Sequence, residues 1–360
     1  MFTIEMLPAE RGDCLWVRWG DAGEHVMLID GGPSKTIPAL VPELERRIKE
    51  LPGRDDRVEL LVQTHIDLDH IEGLVSLLSG PERVRLFRDI WFNGRHHLVA
   101  TLGPKEGELI TAMLAEEPDR WNRAFDGGAV VVPDAPEPLP VVELAGGMRL
   151  TLLAPTSDAL AKLAPEWDKW AAKFTEVPKV PKKWERVDVL GAFDPELMAK
   201  APFKEDRSAP NGAGIAFIAE YANRRVLFAA DVPPRFLLAA FERLPAHMRL
   251  KSGDHKGRVK LDAVKMSHHG SRNNTSLELC QAISCPRWLV STNGARFSHP
   301  HIEALSRVIV SQRRPTFVLN YVTQFVDDIM DGDGDRWRVV TPRKIRGGGY
   351  EEGVLLRLIP

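Results

Sequence analysis

The stretch from Thr64 to Gly73, T-H-I-D-L-D-H-I-E-G, constrains this chain more than any other. The residues before it, V-E-L-L-V-Q at 58–63, are apolar and β-prone, which predicts a buried strand. The residues after it, 71–78, have the spacing of a helix that packs on a sheet. The stretch therefore lies on a strand-to-helix turn at the carboxyl end of a strand, where open α/β sheets place their functional sites.

That turn carries four side chains that can bind a metal, within six consecutive positions: His65, Asp67, Asp69 and His70. The two-residue spacing can direct the first pair toward one ion and the second pair toward another. Imidazole and carboxylate together suit zinc, manganese or iron, and they suit neither calcium nor a structural cysteine site. A polar turn with histidines present by chance is the alternative, but two histidines and two aspartates in this order favour a metal site.

The composition is that of an ordinary soluble globular protein, with 44% hydrophobic and 27% charged residues in a chain of 360. That length suffices for one large α/β domain with insertions or for two smaller domains. The net charge of −2 excludes a global basic field, so nucleic-acid contact would need a local patch. Three cysteines without C-x-x-C spacing argue against a disulfide framework. With no leader-like start and no membrane-length apolar run, we expect a cytoplasmic protein without membrane association.

The second half of the chain carries further chemistry at predicted strand ends. Residues 225–230, R-V-L-F-A-A, predict a buried strand that ends in Asp231. A carboxylate there needs a partner, because burying it unpaired is costly, and cations would supply one. A turn aspartate before two prolines is the alternative. Downstream, K-M-S-H-H-G-S carries His268 and His269 after another apolar run, and F-S-H-P-H carries His299.

These motifs together resemble the metallo-β-lactamase superfamily. T-H-x-D-x-D-H is similar to its H-x-H-x-D-H motif, with Asp67 where most members carry a second histidine. That aspartate variant, the strand end I-D-G-G at Asp30, R-V-L-F-A-A-D and K-M-S-H-H-G-S all resemble the metallo-β-lactamase domain of ComEC-type DNA-uptake proteins. The resemblance covers residues 2–90 and 211–310. It occurs here without the membrane channel of those proteins, so it does not imply DNA uptake.

The resemblance implies an α/β fold, the four-layer αββα metallo-β-lactamase sandwich, built as a single domain over residues 1–360. Residues 100–210 are predicted to be a mostly helical or irregular insertion within it. An insertion between the strands that carry the site is also where a substrate lid would lie.

The resemblance further implies two divalent metal ions, zinc or manganese, held by seven residues: His65, Asp67, Asp69, His70, Asp231, His268 and His269. Asp231 would bridge the two ions. One of the paired histidines would complete the site that contains Asp69, and the sequence does not say which. Asp30 would support the ligand loops from behind rather than bind metal, and Asp13 would approach the site too.

One piece of the superfamily pattern is missing from this chain. Most members carry a metal-binding histidine shortly before the strand that ends in the bridging aspartate. Residues 211–224 contain no histidine, and Asn211 stands in that interval. The ion held by His65 and Asp67 is therefore expected to have fewer protein ligands.

Two stretches are predicted to contact the substrate. Lysine and tryptophan alternate in residues 162–184, which include Lys182, Lys183 and Trp184. Such interleaving can bind phosphate backbones and stack on bases; alternatively, the tryptophans hold the insertion against the core while the lysines face water. Ser271 and Asn273, beside the paired histidines, offer hydrogen-bond donors to a bound phosphate.

The function predicted from these features is a metal-dependent hydrolase that uses a metal-activated water. Asp69 and His299 are the predicted catalytic residues, with His299 binding phosphate or protonating the leaving group. The resemblance indicates a phosphodiesterase or nuclease that acts on nucleic acid or nucleotides. Two alternatives stay open: a hydrolase of small esters, lactones or β-lactams, and a catalytically inactive binding module.

The acidic tail motif D-G-D-G-D at 331–335 does not predict a calcium site. Position twelve counted from its start is Pro342, where an EF-hand loop needs glutamate. A hairpin between strands at 317–325 and 337–340 is predicted instead.

Overall fold

The computed structural model describes residues 1–98, 109–173, 193–295, 297–323, 329, 334–345 and 351–360, without the side chains of 168–173. Its strands are β1 (Phe2–Met6), β2 (Leu15–Trp19), β3 (His25–Ile29), β4 (Leu60–Val62), β5 (Ile90–Trp91), β6 (Val141–Leu144), β7 (Met148–Ala154), β8 (Ala216–Tyr221), β9 (Arg224–Phe228), β10 (Val259–Lys260), β11 (Ala263–Lys265), β12 (Ile283–Ser284), β13 (Arg287–Val290), β14 (Thr316–Leu319), β15 (Arg338–Val340) and β16 (Val354–Ile359).

The helices lie mostly in the connections between these strands. They are α1 (Ile37–Glu50), α2 (Leu68–Leu77), α3 (Pro81–Val84), α4 (Arg95–Leu98), α5 (Leu109–Ala115), α6 (Ser157–Lys173), α7 (Pro195–Ala199), α8 (Ala209–Gly212), α9 (Pro234–Glu242), α10 (Leu277–Ala282) and α11 (Ile302–Ser311). Among the described residues, none of these helices has both the length and the apolar character needed to cross a membrane.

Two sheets organise these elements. The first has six strands in the order β16-β1-β2-β3-β4-β5, antiparallel up to β3 and parallel from β3 to β5. The second has eight strands in the order β15-β14-β13-β11-β9-β8-β7-β6. Its strands from β9 to β15 pair in parallel, and those from β6 to β9 pair antiparallel.

Successive side chains of a strand point to opposite faces of its sheet. The apolar side chains on the facing sides of the two sheets form the core between them. Phe2, Ile4 and Met6 of β1 belong to the same buried cluster as Phe217 of β8 and Phe228 of β9. A second cluster on the other face of the first sheet joins Trp16 and Leu28 to residues of α1 and α2. Helices α9, α10 and α11 cover the second sheet through residues such as Leu237, Leu279 and Leu305. The result is the predicted four-layer αββα sandwich.

Residues 100–210, predicted as an insertion, contribute two strands to the sandwich. β7 pairs with β8 over most of its length, and β6 extends the same sheet. Helix α6 packs on the core through Trp167, which is fully buried and lies 6.3 Å from the ring of Phe92. The part of the Lys/Trp stretch that includes Lys182, Lys183 and Trp184 lies outside the described residues. A lid role for that part stays a prediction.

The hairpin predicted near the end of the chain was wrong. β14 and β15 pair in parallel, with Phe317 opposite Val339. Parallel neighbours need a crossover connection, and the chain between these strands is long enough to supply one. Alternating apolar residues identify the strands but do not encode their relative direction.

Helix α2 is held against the end of β3 by backbone contacts that leave no room for side chains. The amide of Gly31 donates to the carbonyl of His70 at 2.8 Å, and the amide of Gly73 donates to the carbonyl of Gly32 at 2.9 Å. A Cβ at Gly73 would lie 1.9 Å from the carbonyl oxygen of Gly31. Close approach of two backbones therefore requires glycine here, and it sets the position of His70.

Replacing Gly73 by alanine should destabilise the protein, because the new methyl group must displace a backbone carbonyl. We expect a loss of about 3 kcal/mol in the free energy of unfolding, the upper end of typical overpacking costs. Urea unfolding of the metal-free protein would measure it. Gly334→Ala is the matched control, since a Cβ there meets open space. Equal stability of the two variants would contradict the contact.

Candidate metal centre

Four imidazoles surround one carboxylate oxygen at the seam between the two sheets. The Oδ2 atom of Asp231 lies 3.5 Å from His70 Nε2, 3.7 Å from His65 Nε2, 3.7 Å from His268 Nε2 and 3.9 Å from His269 Nε2. His65 lies in the turn between β4 and α2, His70 lies in the first turn of α2, and the segment after β11 supplies His268 and His269. Asp231 itself follows the buried end of β9.

These atoms are arranged as metal ligands are, not as hydrogen-bond partners. Two ligand atoms each about 2.1 Å from one ion lie about 3.4 Å apart at the tetrahedral angle. The Nε2 atoms of His65, His70 and His269 and the Oδ1 atom of Asp231 are buried without a hydrogen-bond partner. Buried polar atoms left unpaired are costly and uncommon in native structures. Divalent ions would satisfy all of them, so the residues present fit the cofactor that the sequence predicts.

The two aspartates of the H-x-D-x-D-H motif face different histidines. Asp67 Oδ2 lies 3.8 Å from His65 Nε2, whereas Asp69 Oδ2 lies 3.9 Å from His269 Nε2. Ligand atoms of Asp69, His70 and His269 all lie within 4.8 Å of one another. The structure thus groups His269, rather than His268, with the second half of the motif.

Asp30 fixes the orientation of His70 from behind the site. His70 Nδ1 donates to Asp30 Oδ2 at 2.7 Å, and the hydroxyl and amide of Thr64 donate to the same carboxylate at 2.7 and 2.8 Å. Burial raises the pKa of Asp30, although its bonds with His70 and Thr64 oppose that shift. A proton held on Nδ1 leaves the Nε2 lone pair of His70 free to bind a cation. This geometry is consistent with the predicted role of Asp30, which is to support the loops that carry the candidate metal ligands.

A buried ion pair lies behind His269. Lys265 Nζ, with a side chain only 1% exposed, donates to Asp13 Oδ2 at 2.6 Å and to the carbonyl of Met266 at 3.2 Å. Asp13 Oδ1 lies 3.4 Å from His269 Nδ1, which donates to the carbonyl of Ser291 at 2.8 Å. Burial alone would raise the pKa of Asp13, but Lys265 and His269 together hold it below its ordinary value. The sequence offers one signal for Lys265, a lysine inside an apolar strand.

Like charges crowd the side of the cleft that carries Asp67. Its side chain is 36% exposed. Partial loss of hydration, together with the carboxylates of Asp69 and Asp231, raises its pKa from 3.8 to about 7. Burial, with a smaller contribution from His70, lowers the pKa of His65 to about 3. Although burial opposes the shift, the carboxylate of Asp231 raises the pKa of His70 well above 6.5 and that of His268 to about 9. The cleft therefore holds protons that a bound cation would displace.

His299 lies at the edge of this cluster. Its ring centroid is 5.1 Å from that of His268 and 4.7 Å from that of His301. Burial and the neighbouring His268 and His301 hold its pKa well below 6.5, so the imidazole is neutral at pH 7. The structure brings this predicted catalytic residue to the site.

The predicted substrate-binding residues beside the paired histidines serve the local fold. Ser271 is buried, and its hydroxyl accepts a hydrogen bond from the amide of Asn273 at 3.2 Å. The adjacent Asn274 is fully buried and lies closer to the centre, with Nδ2 donating to the carbonyl of Asp231 at 2.9 Å. Phosphate binding by Ser271 or Asn273 stays a prediction.

Asp206 is the residue near the site that sequence reasoning missed. Its Oδ2 atom accepts hydrogen bonds from Asn211 Nδ2 at 2.6 Å and from Asn274 Nδ2 at 3.0 Å, and it lies 3.5 Å from His268 Nδ1. Burial would raise its pKa, but these bonds and one from the amide of Ser208 lower it to about 2. No motif marks Asp206, because it lies in an irregular segment that the family pattern does not cover.

Comparisons with known proteins give similarity only at the level of solved structures. No protein-family model matches the chain, and no curated protein matches it. The E377D mutant of CmlA β-hydroxylase is similar with a TM-score of 0.41 and 13% identity over 99% of this chain and 54% of that one. A structure of CmlA, a diiron β-hydroxylase from Streptomyces venezuelae, is similar with a TM-score of 0.38, 13% identity and the same coverages. The chain thus spans about half the length of CmlA.

A further similar structure is Zn²⁺-bound PqqB from Methylobacterium extorquens. It has a TM-score of 0.38 and 14% identity, and the match covers 99% of this chain and all of that one. The architecture of the present chain rests on its own sheet order and core, and the candidate site rests on its own interatomic distances.

Metal binding should strengthen as pH rises, because the ion displaces protons from the cluster. On folding without metal, the pKa of Asp67 rises from 3.8 to about 7, so the metal-free fold loses stability as pH rises through that window. The ion binds the ionised carboxylate, so the metal affinity rises over the same pH window. The rise is up to about tenfold per pH unit for each proton released. Chelator competition between pH 5.5 and 7.5 would measure this. A flat profile would contradict proton displacement.

Breaking the ion pair behind His269 should be costly. Lys265→Met leaves Asp13 buried without its partner, and we expect a loss of about 3–5 kcal/mol in the free energy of unfolding. Adding Asp13→Asn to that variant should recover part of the loss. Lys260→Met, at an exposed position of the neighbouring strand, is the control and should stay within about 0.5 kcal/mol of the parent. Similar losses in both single variants would argue against a buried pair.

Proposed function

We propose that this chain is a metal-dependent hydrolase that holds two divalent ions, zinc or manganese, and cleaves phosphodiesters in nucleic acid or nucleotides. One observation carries the two-ion proposal: four imidazole nitrogens converge on Asp231 Oδ2, and the three that are buried have no hydrogen-bond partner. The choice of phosphodiester rests on the H-x-D-x-D-H and K-x-x-H-H-G-S motifs, which resemble those of ComEC-type domains.

The residues divide between two ions around a shared carboxylate. His65 and Asp67 would hold the first ion. Asp69, His70 and His269, whose ligand atoms meet within 4.8 Å, would hold the second. Asp231 lies within reach of both sets and would bridge them. Ions in such a site supply a hydroxide nucleophile near neutral pH and neutralise charge on the reacting ester.

Asp69 combines ligation with contact to the reacting water in this proposal. Its side chain is 17% exposed, so one oxygen can face the second ion while the other faces the cleft. A carboxylate in that position can accept a hydrogen bond from the attacking water and orient it in line with the phosphorus.

In this proposal His299 acts as a neutral hydrogen-bond donor. Because its pKa is held well below 6.5, the resting imidazole carries one N–H and no positive charge. It can donate that N–H to a phosphoryl oxygen. That hydrogen bond would stabilise the negative charge that builds on the phosphoryl group in the transition state, while the leaving oxygen takes its proton from solvent.

Cleavage of labelled single-stranded DNA, double-stranded DNA and RNA, with Mn²⁺ or Zn²⁺ added, tests this function. Asp69→Asn keeps the size of the side chain and removes its charge, and we expect its rate to fall at least about a hundredfold. Asp254→Asn, at an exposed position away from the cleft, is the matched control and should keep the parent rate.

Parallel assays separate the alternatives. If the protein binds two ions and hydrolyses an ester, a lactone or a β-lactam but not nucleic acid, it is a hydrolase of that other substrate class. Two bound ions without any hydrolysis would favour a binding module. Failure to bind metal at all would refute the proposal at its first step.

A further inference from the structure

We propose that His268 is the imidazole ligand of the ion held by His65 and Asp67, and that Asp206 is the residue that positions it. This inference rests on the two-ion site proposed above. Because residues 211–224 contain no histidine, this ion lacks a protein ligand that most superfamily members supply. His268 would fill that coordination position.

The two adjacent histidines take separate roles because of where their rings point. His268 Nε2 and His65 Nε2 both lie 3.7 Å from Asp231 Oδ2. His269 instead joins Asp69 and His70. The rings of His268 and His269 are 5.9 Å apart and inclined by 75°, so they approach the shared carboxylate from different directions.

An unusual backbone produces this arrangement. His268 and His269 have φ values of +48° and +54°, in the left-handed region that costs energy for residues with a Cβ. Two consecutive residues of this kind persist only where their surroundings hold them. Here the amide of His268 donates to the carbonyl of Ala230, and the carbonyl of His268 accepts from Ser271. The turn that brings His268 toward Asp231 is thus fixed from both sides.

Acceptors around the other ring nitrogen select the tautomer that binds metal. His268 Nδ1 lies 3.1 Å from Asn274 Oδ1 and 3.5 Å from Asp206 Oδ2. A proton on Nδ1 faces these oxygens, and the Nε2 lone pair then faces Asp231. The arrangement matches that of His70, whose Nδ1 donates to Asp30. A carboxylate behind a ligating imidazole is a common way to fix such a ligand.

Asp206 is itself held in place, which makes it a positioning residue and not a mobile surface group. Ser208 N donates to its Oδ1 at 2.8 Å, while Asn211 Nδ2 and Asn274 Nδ2 donate to its Oδ2. Asn211, in the interval where the superfamily histidine is missing, therefore holds the carboxylate behind His268. An imidazole from the segment after β11 takes the place that a histidine in residues 211–224 would otherwise fill.

The first test removes the proposed ligand. His268→Gly keeps the left-handed backbone, because glycine reaches positive φ without strain. We expect the parent to bind two Zn²⁺ or Mn²⁺ ions per chain and the variant to bind one tightly, by metal analysis after dialysis. Added imidazole should restore the second ion. His247→Gln, at an exposed position, is the control and should bind two ions.

The second test addresses Asp206. Asp206→Ala should weaken one of the two ions by about 10–100-fold in chelator competition and leave the other unchanged. Asp206→Asn, which keeps an acceptor oxygen, should recover part of that loss. Equal weakening of both ions, with lower stability of the metal-free protein, would show a merely structural role and overturn the assignment.

Other outcomes also decide the proposal. Two ions held at parent affinity by His268→Gly would overturn it, and if activity were lost at the same time, His268 would be a substrate-contacting residue instead. A parent chain that binds at most one ion would overturn it as well. Metal binding is measured without substrate. Absence of phosphodiester cleavage would therefore contradict the proposed function but not the assignment of His268 as a ligand.

Discussion

The carboxylate of Asp231 is the constraint on which the rest of the structure depends. It follows the buried end of β9, yet its Oδ1 atom has no hydrogen-bond partner and its Oδ2 atom faces four imidazoles. The imidazoles come from the β4–α2 turn and the start of α2, which follow a strand of the first sheet, and from the segment after β11 of the second. Neither sheet can build the cluster alone. Packing of the two sheets is therefore what assembles the site, and the apolar core between them supports a polar centre at its edge.

Three of the four imidazoles have a support of their own, drawn from different parts of the chain. His70 rests on Asp30, His269 rests on the carbonyl of Ser291 beside Asp13, and His268 faces Asp206 and Asn274. These supports hold the proton on Nδ1 and present Nε2 to the centre. Because the supporting atoms lie in segments far apart in sequence, the fold has to form before the ligands are oriented.

Local pattern predicted many of the strands and helices and identified the candidate ligands, whereas the pairing of Lys265 with Asp13 and the place of Asp206 stayed hidden. The motif around His65, the aspartate after β9 and the paired histidines stand out because residue type and strand ends coincide within a few positions. Lys265 stands out as a lysine inside an apolar strand, but its partner Asp13 lies 252 positions away, so the sequence does not reveal their pairing. Asp206 lies in an irregular segment, and nothing local marks it. The parallel pairing of β14 and β15 was missed for the same reason, since strand direction depends on the route of the connection.

The distribution of charge favours metal ions, rather than lysine or arginine side chains, as the cations that neutralise this cluster. Five carboxylates surround it: Asp30, Asp67, Asp69, Asp206 and Asp231. The buried ammonium of Lys265 is committed to Asp13 at 2.6 Å and does not offset them. Imidazoles that act as ligands are neutral and add no positive charge. Without ions, burial and the neighbouring carboxylates of Asp69 and Asp231 raise the pKa of Asp67 to about 7. Cations bound in the proposed site would replace the protons on Asp67 and on the imidazoles as partners of these carboxylates, so ion binding would be coupled to the stability of this part of the fold.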